Sequence, residues 1–466
     1  MQDMELLSRT HELAREFLAG LRERPVRPSV GFEELRARLG GTLPEAGLAA
    51  RQVIDELARA VDGGLMATAG PRFFGFVIGG SLPAALAADW LTSTWDQNAG
   101  LCAASPAAAA VEAVAADWLL ELLGLPKGAS VGFVTGCQMA NFVGLAAGRH
   151  AVLARAGWDV EERGLQGAPE VTVVIGDEAH ATILSALRML GLGGGRARRV
   201  AADGQGRMRP EALEQALREA PGPVIVCAQA GNVNTGAFDA LTEIAEVTRS
   251  RGGWLHVDGA FGLWAAASAR HSGRARGLER ADSWATDGHK WLNVPYDCGI
   301  AIVADPAVHG PAFTKRASYL VRAQDAERDN YDWTPEASRR GRGFAVYAAL
   351  RNLGREGIAA MVDRCCALAA RMAQRLAGPG VAILNEVVLN QVLVRFEPRP
   401  GGDADALTRA VIARVQSDGT CWLAGTRWQG GEAMRVSVSN WSTDESDIDR
   451  SAEAILAAYR REREER

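Results

Sequence analysis

Residues 253–264 read GWLHVDGAFGLW and residues 281–299 read ADSWATDGHKWLNVPYDCG. Two apolar runs inside them, 253–257 and 281–285, are short and are closed by small or polar residues, which predicts buried parallel strands. In an open α/β sheet the ligand crevice lies outside the carboxyl ends of the strands, so Asp258 and Lys290 are expected to face one crevice together.

Lysine is scarce in this chain. Lys127, Lys290 and Lys315 are the only three among 51 basic residues, and the other 48 are arginine. Arginine serves for surface charge, whereas lysine alone can lose its proton in a protein site. Lys290 stands between His289 and Trp291 and before an apolar turn. A desolvated lysine has a lowered pKa and can form a Schiff base with a carbonyl cofactor. The alternative is a lysine that snorkels from a strand end to solvent.

HVDGA, DGHKW and their flanks resemble the pyridoxal-phosphate-dependent group II decarboxylases over nearly the whole chain. The resemblance implies a fold-type I α/β protein, with a mostly parallel central sheet carrying helices on both faces. It also implies pyridoxal 5'-phosphate as cofactor. Lys290 would carry the cofactor in Schiff-base linkage, and Asp258 would pair with the pyridine nitrogen. The domains expected are an N-terminal helical arm over 1–75, a large cofactor-binding domain over 76–345 and a small C-terminal α/β domain over 346–466.

The remaining composition narrows the function classes. A chain of 466 residues with 48% hydrophobic and 23% charged residues is an ordinary globular protein, long enough for two or three packed units. The net charge of −5 supplies no basic footprint for nucleic acid. No apolar run is long enough to span a membrane, and the acidic amphipathic start does not read as a signal peptide, so a cytoplasmic enzyme is expected. The seven cysteines (Cys102, Cys137, Cys227, Cys298, Cys365, Cys366 and Cys421) show neither C-x-x-C pairs nor metal-ligand spacing, which predicts reduced thiols and no metal.

Along the chain, the first seventy residues read as helices broken by RPVRPSV at 24–30. Such an arm cannot bury a core alone, and in the resembled family it wraps a partner subunit, so a homodimer is implied. PRFFGFVIGG at 71–80 matches the family's substrate-pocket segment, placing Phe76, Val77, Ile78 and Gly79 there. Asn98 and Gly100 join that pocket; with Thr68 they stand where aromatic residues grip an aromatic substrate in the named relatives.

VGFVTGCQMANFVGL at 131–145 reads as strand, small-residue turn and helix. Backbone amides at a helix N-terminus form an anion site, so Gly136, Cys137 and Gln138 are the expected phosphate cradle. Gln138 replaces the hydroxyl residue usual in the family. GLGGGR at 191–196 fails the dinucleotide pattern and reads as a helix stop. A histidine at a helix start is more often structural than catalytic; the resemblance makes His180 the residue that stacks on the pyridine ring and assists proton transfer. Asn232, Ala260 and His289 complete the expected cofactor set.

After residue 305 the chain turns polar and reads as a long loop. Its Tyr319 resembles the tyrosine that protonates the substrate carbon in the family, where a phenylalanine goes with aldehyde formation. For the substrate carboxylate the family uses an arginine; Asn440 aligns with it, and Arg435 is the nearest basic residue. The reading is thus decarboxylation of an L-amino acid to its amine and CO2, with Lys290, Asp258, His180 and Tyr319 as the catalytic set. Aldehyde synthesis or transamination on the same fold stands as the alternative, because fold does not fix reaction. A non-enzymatic sensor lacks the basic segment it would need.

Overall fold

The computed structural model describes residues 2–314 and 328–466, and the chain divides into two compact units. One comprises residues 79–370 and 385–392; the other comprises 1–78, 371–384 and 393–466. These divisions differ from the three domains expected. Residues 346–370 go with the first unit, and the N-terminal helices share a unit with the C-terminal part.

The first unit is built on seven strands: β1 (Ser130–Val134), β2 (Thr172–Gly176), β3 (Arg198–Val200), β4 (Val224–Gln229), β5 (Trp254–Asp258), β6 (Ser283–Asp287) and β7 (Gly299–Val303). Their order in space is β1-β7-β6-β5-β4-β2-β3. The expectation of a mostly parallel sheet holds, with one exception: β7 runs antiparallel to both β1 and β6. β1, β2, β4, β5 and β6 are buried on both faces, which is why their sequences are near-continuous apolar runs instead of alternating ones.

The strands sit slightly later than 253–257 and 281–285, so Asp258 and Asp287 are the last residues of β5 and β6. Parallel pairing then aligns the carboxyl ends of β4, β5 and β6, with Gln229 opposite Asp258 and Asp258 opposite Ala285. The segments that leave β1, β2, β4, β5 and β6 therefore emerge along one edge, and β7 begins there. The helix Cys137–Arg155 lies close on this sheet. A side chain at Gly144 would come within 2.7 Å of the His256 ring on β5, so only glycine lets helix and strand meet there. Leu145, Ile175, Ile183, Ile225 and Trp254 pack into the core between sheet and helices.

The other unit carries β8 (Val381–Ile383), β9 (Gln391–Phe396), β10 (Ala424–Trp428) and β11 (Gly431–Ser437) in the order β10-β11-β9-β8. Helices Gln2–Gly20, Phe32–Leu39 and Ala50–Val61 form its N-terminal part. Arg22 and Arg72 both bind Asp447 near the start of helix Glu445–Glu465, fastening the N-terminal segment to the C-terminal one.

Candidate functional site

Two carboxylates at neighbouring strand ends define the site. Asp258 is buried and accepts hydrogen bonds from Asn141 Nδ2 at 3.2 Å, the Ala260 amide at 3.2 Å and the Cys137 thiol at 3.5 Å. Behind Asn141 the donors run in one direction. Asn141 Nδ2 faces Asp258, so its Oδ1 accepts from His256 Nε2 at 2.9 Å. That leaves His256 Nδ1 to accept from the Ser283 hydroxyl at 2.8 Å, which accepts in turn from Trp254 Nε1 at 2.9 Å. Burial drives the His256 pKa down to about 4, consistent with a neutral ring in this chain. Asn141 Nδ2 also reaches Thr182 Oγ1 at 3.3 Å, and that hydroxyl lies 2.8 Å from His180 Nδ1. His180 and Asp258 are thus joined through Asn141 and Thr182.

Asp287 sits in a different company. Its Oδ1 accepts the Cys137 amide at 2.6 Å and lies 3.3 Å from His289 Nε2, while its Oδ2 is 3.1 Å from the Lys290 ammonium. The Cys298 amide donates to His289 Nδ1 at 3.0 Å, so the ring proton is on Nε2, aimed at Asp287. Burial lowers the His289 pKa and Asp287 only partly opposes this. Tyr296 stacks on His289 with ring centres 4.2 Å apart, and burial followed by Asp287 pushes its phenol up to about 12.

The lowered lysine pKa expected from the sequence is not what the structure has. Burial does act to lower the Lys290 pKa, yet Asp287, Cys137 and Asp258 outweigh it, and the net displacement is upward. The reason is the carboxylate at β6, to which the sequence reading assigned no part. Cys137 links the two carboxylates, its amide to Asp287 and its thiol to Asp258. Burial, then Asp258 and Asp287, pushes that thiol well up, which keeps it a donor.

Other expected residues are engaged in shaping the backbone. Gly79 donates to the His289 carbonyl, and a side chain there would fall 1.9 Å from the Lys290 carbonyl. The Gly80 amide binds Asn293 Oδ1 and the Leu82 amide binds the Asn293 carbonyl, so 79–82 lies as a strap over the Lys290 turn. Asn232 Oδ1 accepts from the Asn234 and Thr235 amides and its Nδ2 binds the Glu178 carbonyl, closing the turn after β4. Asn98 Oδ1 accepts from the Gly100 and Arg339 amides, and the Gly100 carbonyl accepts from Tyr331. Gly136 is the residue before helix Cys137–Arg155, with Gln138 exposed in its first turn. Ala260 accepts the Asp287 amide at 2.9 Å and so ties the two strand ends.

In the other unit, Phe76 packs on Trp422 at 5.2 Å with Ile78 half-buried, while Val77 is buried. Asn440 Nδ2 donates to the Ala69 and Gly70 carbonyls, and burial lowers the Arg435 pKa. Tyr319 lies outside the described residues.

The pyridoxal-dependent decarboxylase conserved domain matches residues 33–397. The chain is 26% identical over 439 residues to an aromatic-L-amino-acid decarboxylase from Bacillus atrophaeus, covering 92% of this chain and 89% of that protein. It is 33% identical over 308 residues to an acidic amino acid decarboxylase from Mus musculus, covering 64% of this chain and only 55% of that protein. A crystal structure of Oryza sativa TDC with PLP and tryptamine superposes with a TM-score of 0.92 at 24% identity, covering 99% of this chain and 98% of that one. This chain therefore belongs to the pyridoxal-dependent decarboxylase family, and its reaction is the pyridoxal-phosphate-dependent decarboxylation of an amino acid.

Proposed function

We propose that Lys290 carries the cofactor and that Asp258 faces its ring nitrogen, in the decarboxylation of an L-amino acid to its amine and CO2. The observation that supports this most is that the Lys290 ammonium, just after β6, lies within electrostatic reach of the buried Asp258 carboxylate that ends the neighbouring β5. The residues present suit the group: an amine for its aldehyde, a carboxylate for its ring nitrogen, and helix amides for its phosphate. The first amides of helix Cys137–Arg155 have no partner within the helix, so Gly136, Cys137 and Gln138 are proposed to hold the phosphate.

When bound, pyridoxal phosphate supplies the aldehyde that an amine can join and a ring that accepts the electron pair of the Cα–carboxylate bond. Asp258 holds a proton at the ring nitrogen, and the donor chain from Trp254 through Ser283, His256 and Asn141 keeps its carboxylate aimed. His180, steadied by Thr182, covers the ring and assists proton movement. Tyr319 delivers the proton to the substrate carbon. Asn232, Ala260 and His289 complete the cofactor's surroundings, and Phe76, Val77, Ile78, Gly79, Asn98 and Gly100 border the substrate. The two relatives' names point to aromatic and to acidic amino acids, the two substrate classes the test below compares.

The assembly proposed is a homodimer in which the N-terminal helices wrap the partner. Leu7, Leu18, Phe32, Val53 and Leu57 on those helices are exposed apolar side chains, which supports a covering surface. Seven free cysteines support a reducing compartment, the cytoplasm. The test is CO2 release from the loaded protein across a panel of amino acids, with amine, aldehyde and ammonia measured together. Amine equal to CO2 is expected; aldehyde with ammonia, or a keto acid without CO2, would replace the reaction assigned.

A further inference from the structure

Asp287 presents a conflict that the cofactor must resolve. Its carboxylate already occupies the Cys137 amide, the first donor of the helix terminus proposed for the phosphate. The same carboxylate holds the Lys290 amine as an ammonium, and an ammonium has no lone pair with which to attack an aldehyde. The geometry is tight on every side. Asp287 is 2% exposed, its amide is bound to the Ala260 carbonyl and its carbonyl to Trp264 Nε1, so the carboxylate cannot swing away with the backbone.

The titratable groups around Asp287 are His289, Lys290, Tyr296 and Cys298 on its own segment, Cys137 on the helix and Asp258 at the end of β5, next to Cys137 and Lys290. Lys290 is the cation among them; His289 faces Asp287 as a neutral N–H donor. The arrangement is therefore a buried ion pair between the Asp287 carboxylate and the Lys290 ammonium.

We propose that Asp287 is a positioning residue for cofactor loading, which holds the Lys290 ammonium and the Cys137 amide in the free protein and must release both for the cofactor to be joined. This rests on Lys290 being the carrier. The exchange balances without an outside reagent. The ammonium first gives a proton to Asp287 Oδ2, its neighbour at 3.1 Å, and the freed electron pair forms the bond to the aldehyde carbon. The carbonyl oxygen leaves as water. Of the ammonium's three hydrogens, two depart in that water and one stays on the nitrogen with the positive charge, so Asp287 returns what it took.

The experiment is the rate at which cofactor-free protein develops the absorbance band of the joined cofactor after mixing with pyridoxal 5'-phosphate, over a range of pH, for wild type and Asp287→Asn. Asparagine keeps the shape and can still accept the Cys137 amide, but it cannot hold the ammonium as an ion pair. An opposite charge at this distance is worth roughly 1–3 pKa units to the lysine. The midpoint of the rate profile is therefore expected to move at least about one unit lower in pH in the variant, with joining about tenfold faster below that midpoint. Asp287→Ser is expected to shift the profile the same way and serves if the asparagine variant does not fold. Superimposable profiles in a folded variant would overturn the inference, as would a folded variant that never forms the band. A wild-type protein that forms no band would instead overturn the assignment of Lys290, a result distinct from either.

Discussion

Asp258 and Asp287 end adjacent strands, share Cys137 as a neighbour and are both buried, yet they are held in opposite ways. Asp258 is met by a file of neutral donors, Trp254, Ser283, His256 and Asn141, each of which can point only one way once the next is fixed. Asp287 is met by an ammonium, an imidazole and a backbone amide that can change partners when a ligand arrives. The first arrangement suits a group that must stay put, and the second a group that must let go. A buried ion pair contributes little net stability against its desolvation cost, so its presence at β6 is better read as a device for the site than as a brace for the fold.

The difference can be broken most severely at the lysine. Lys290→Ala is expected to abolish the joined-cofactor band and lower the decarboxylation rate by at least about a thousandfold, since a group that forms a covalent bond cannot be replaced by its neighbours. Full activity in that variant would remove the ion pair from the chemistry altogether.

At the Asp258 end, the pH dependence of stability is the sharper probe. The His256 pKa is about 4 when folded against an ordinary value of 6.5, so between those limits the unfolded chain binds the extra proton. Stability from this group is fully present above pH 6.5 and is lost as pH falls towards 4, by about 3 kcal/mol at about 1.4 kcal/mol per unit. Denaturant melts of wild type and His256→Gln over that interval are expected to show a smaller loss in the variant, by about the share assigned to His256, since His289 and His309, also lowered by burial, keep theirs. A variant with the same slope would mean that His256 is not held neutral.

Asn141→Leu removes the link between His256, Asp258 and Thr182 and takes one hydrogen bond from each of the three. A cost of about 1–3 kcal/mol in stability is expected, with kcat falling about tenfold or more because Asp258 loses its aim. A melt and a rate measurement on one sample decide it, and a stable, fully active variant would show that the donor chain does not matter. The smallest effect is expected at Tyr296→Phe, which keeps the ring stacked on His289: within about 0.5 kcal/mol in stability. A larger loss would give its hydroxyl a part in the Asp287 cluster.

Much of this architecture was legible beforehand, for stated reasons. Doubly buried strands leave uninterrupted apolar runs, and the scarcity of lysine singled out Lys290. The antiparallel course of β7 was not legible, because its run of small and apolar residues reads the same in either direction. Asp287 was in plain view three residues before Lys290, yet a carboxylate at that spacing can as easily be solvated. Only its burial against Cys137 makes it count. Asn141 and His256 come from a helix and a strand 115 residues apart, and no local pattern announces such a meeting. Asn98 and Asn232 were expected at the site from the family resemblance alone, which says nothing of their local bonding; here their side chains are hydrogen-bonded to backbone groups.

The scarcity of lysine also makes the central claim directly measurable. Reducing the cofactor-loaded protein with borohydride fixes the cofactor to whichever amine carries it, and peptide mass analysis has just three candidates, Lys127, Lys290 and Lys315, besides the N-terminus. The added mass is expected on the peptide containing Lys290 and no other; its appearance on Lys127 or Lys315, or on none, would contradict the site built here.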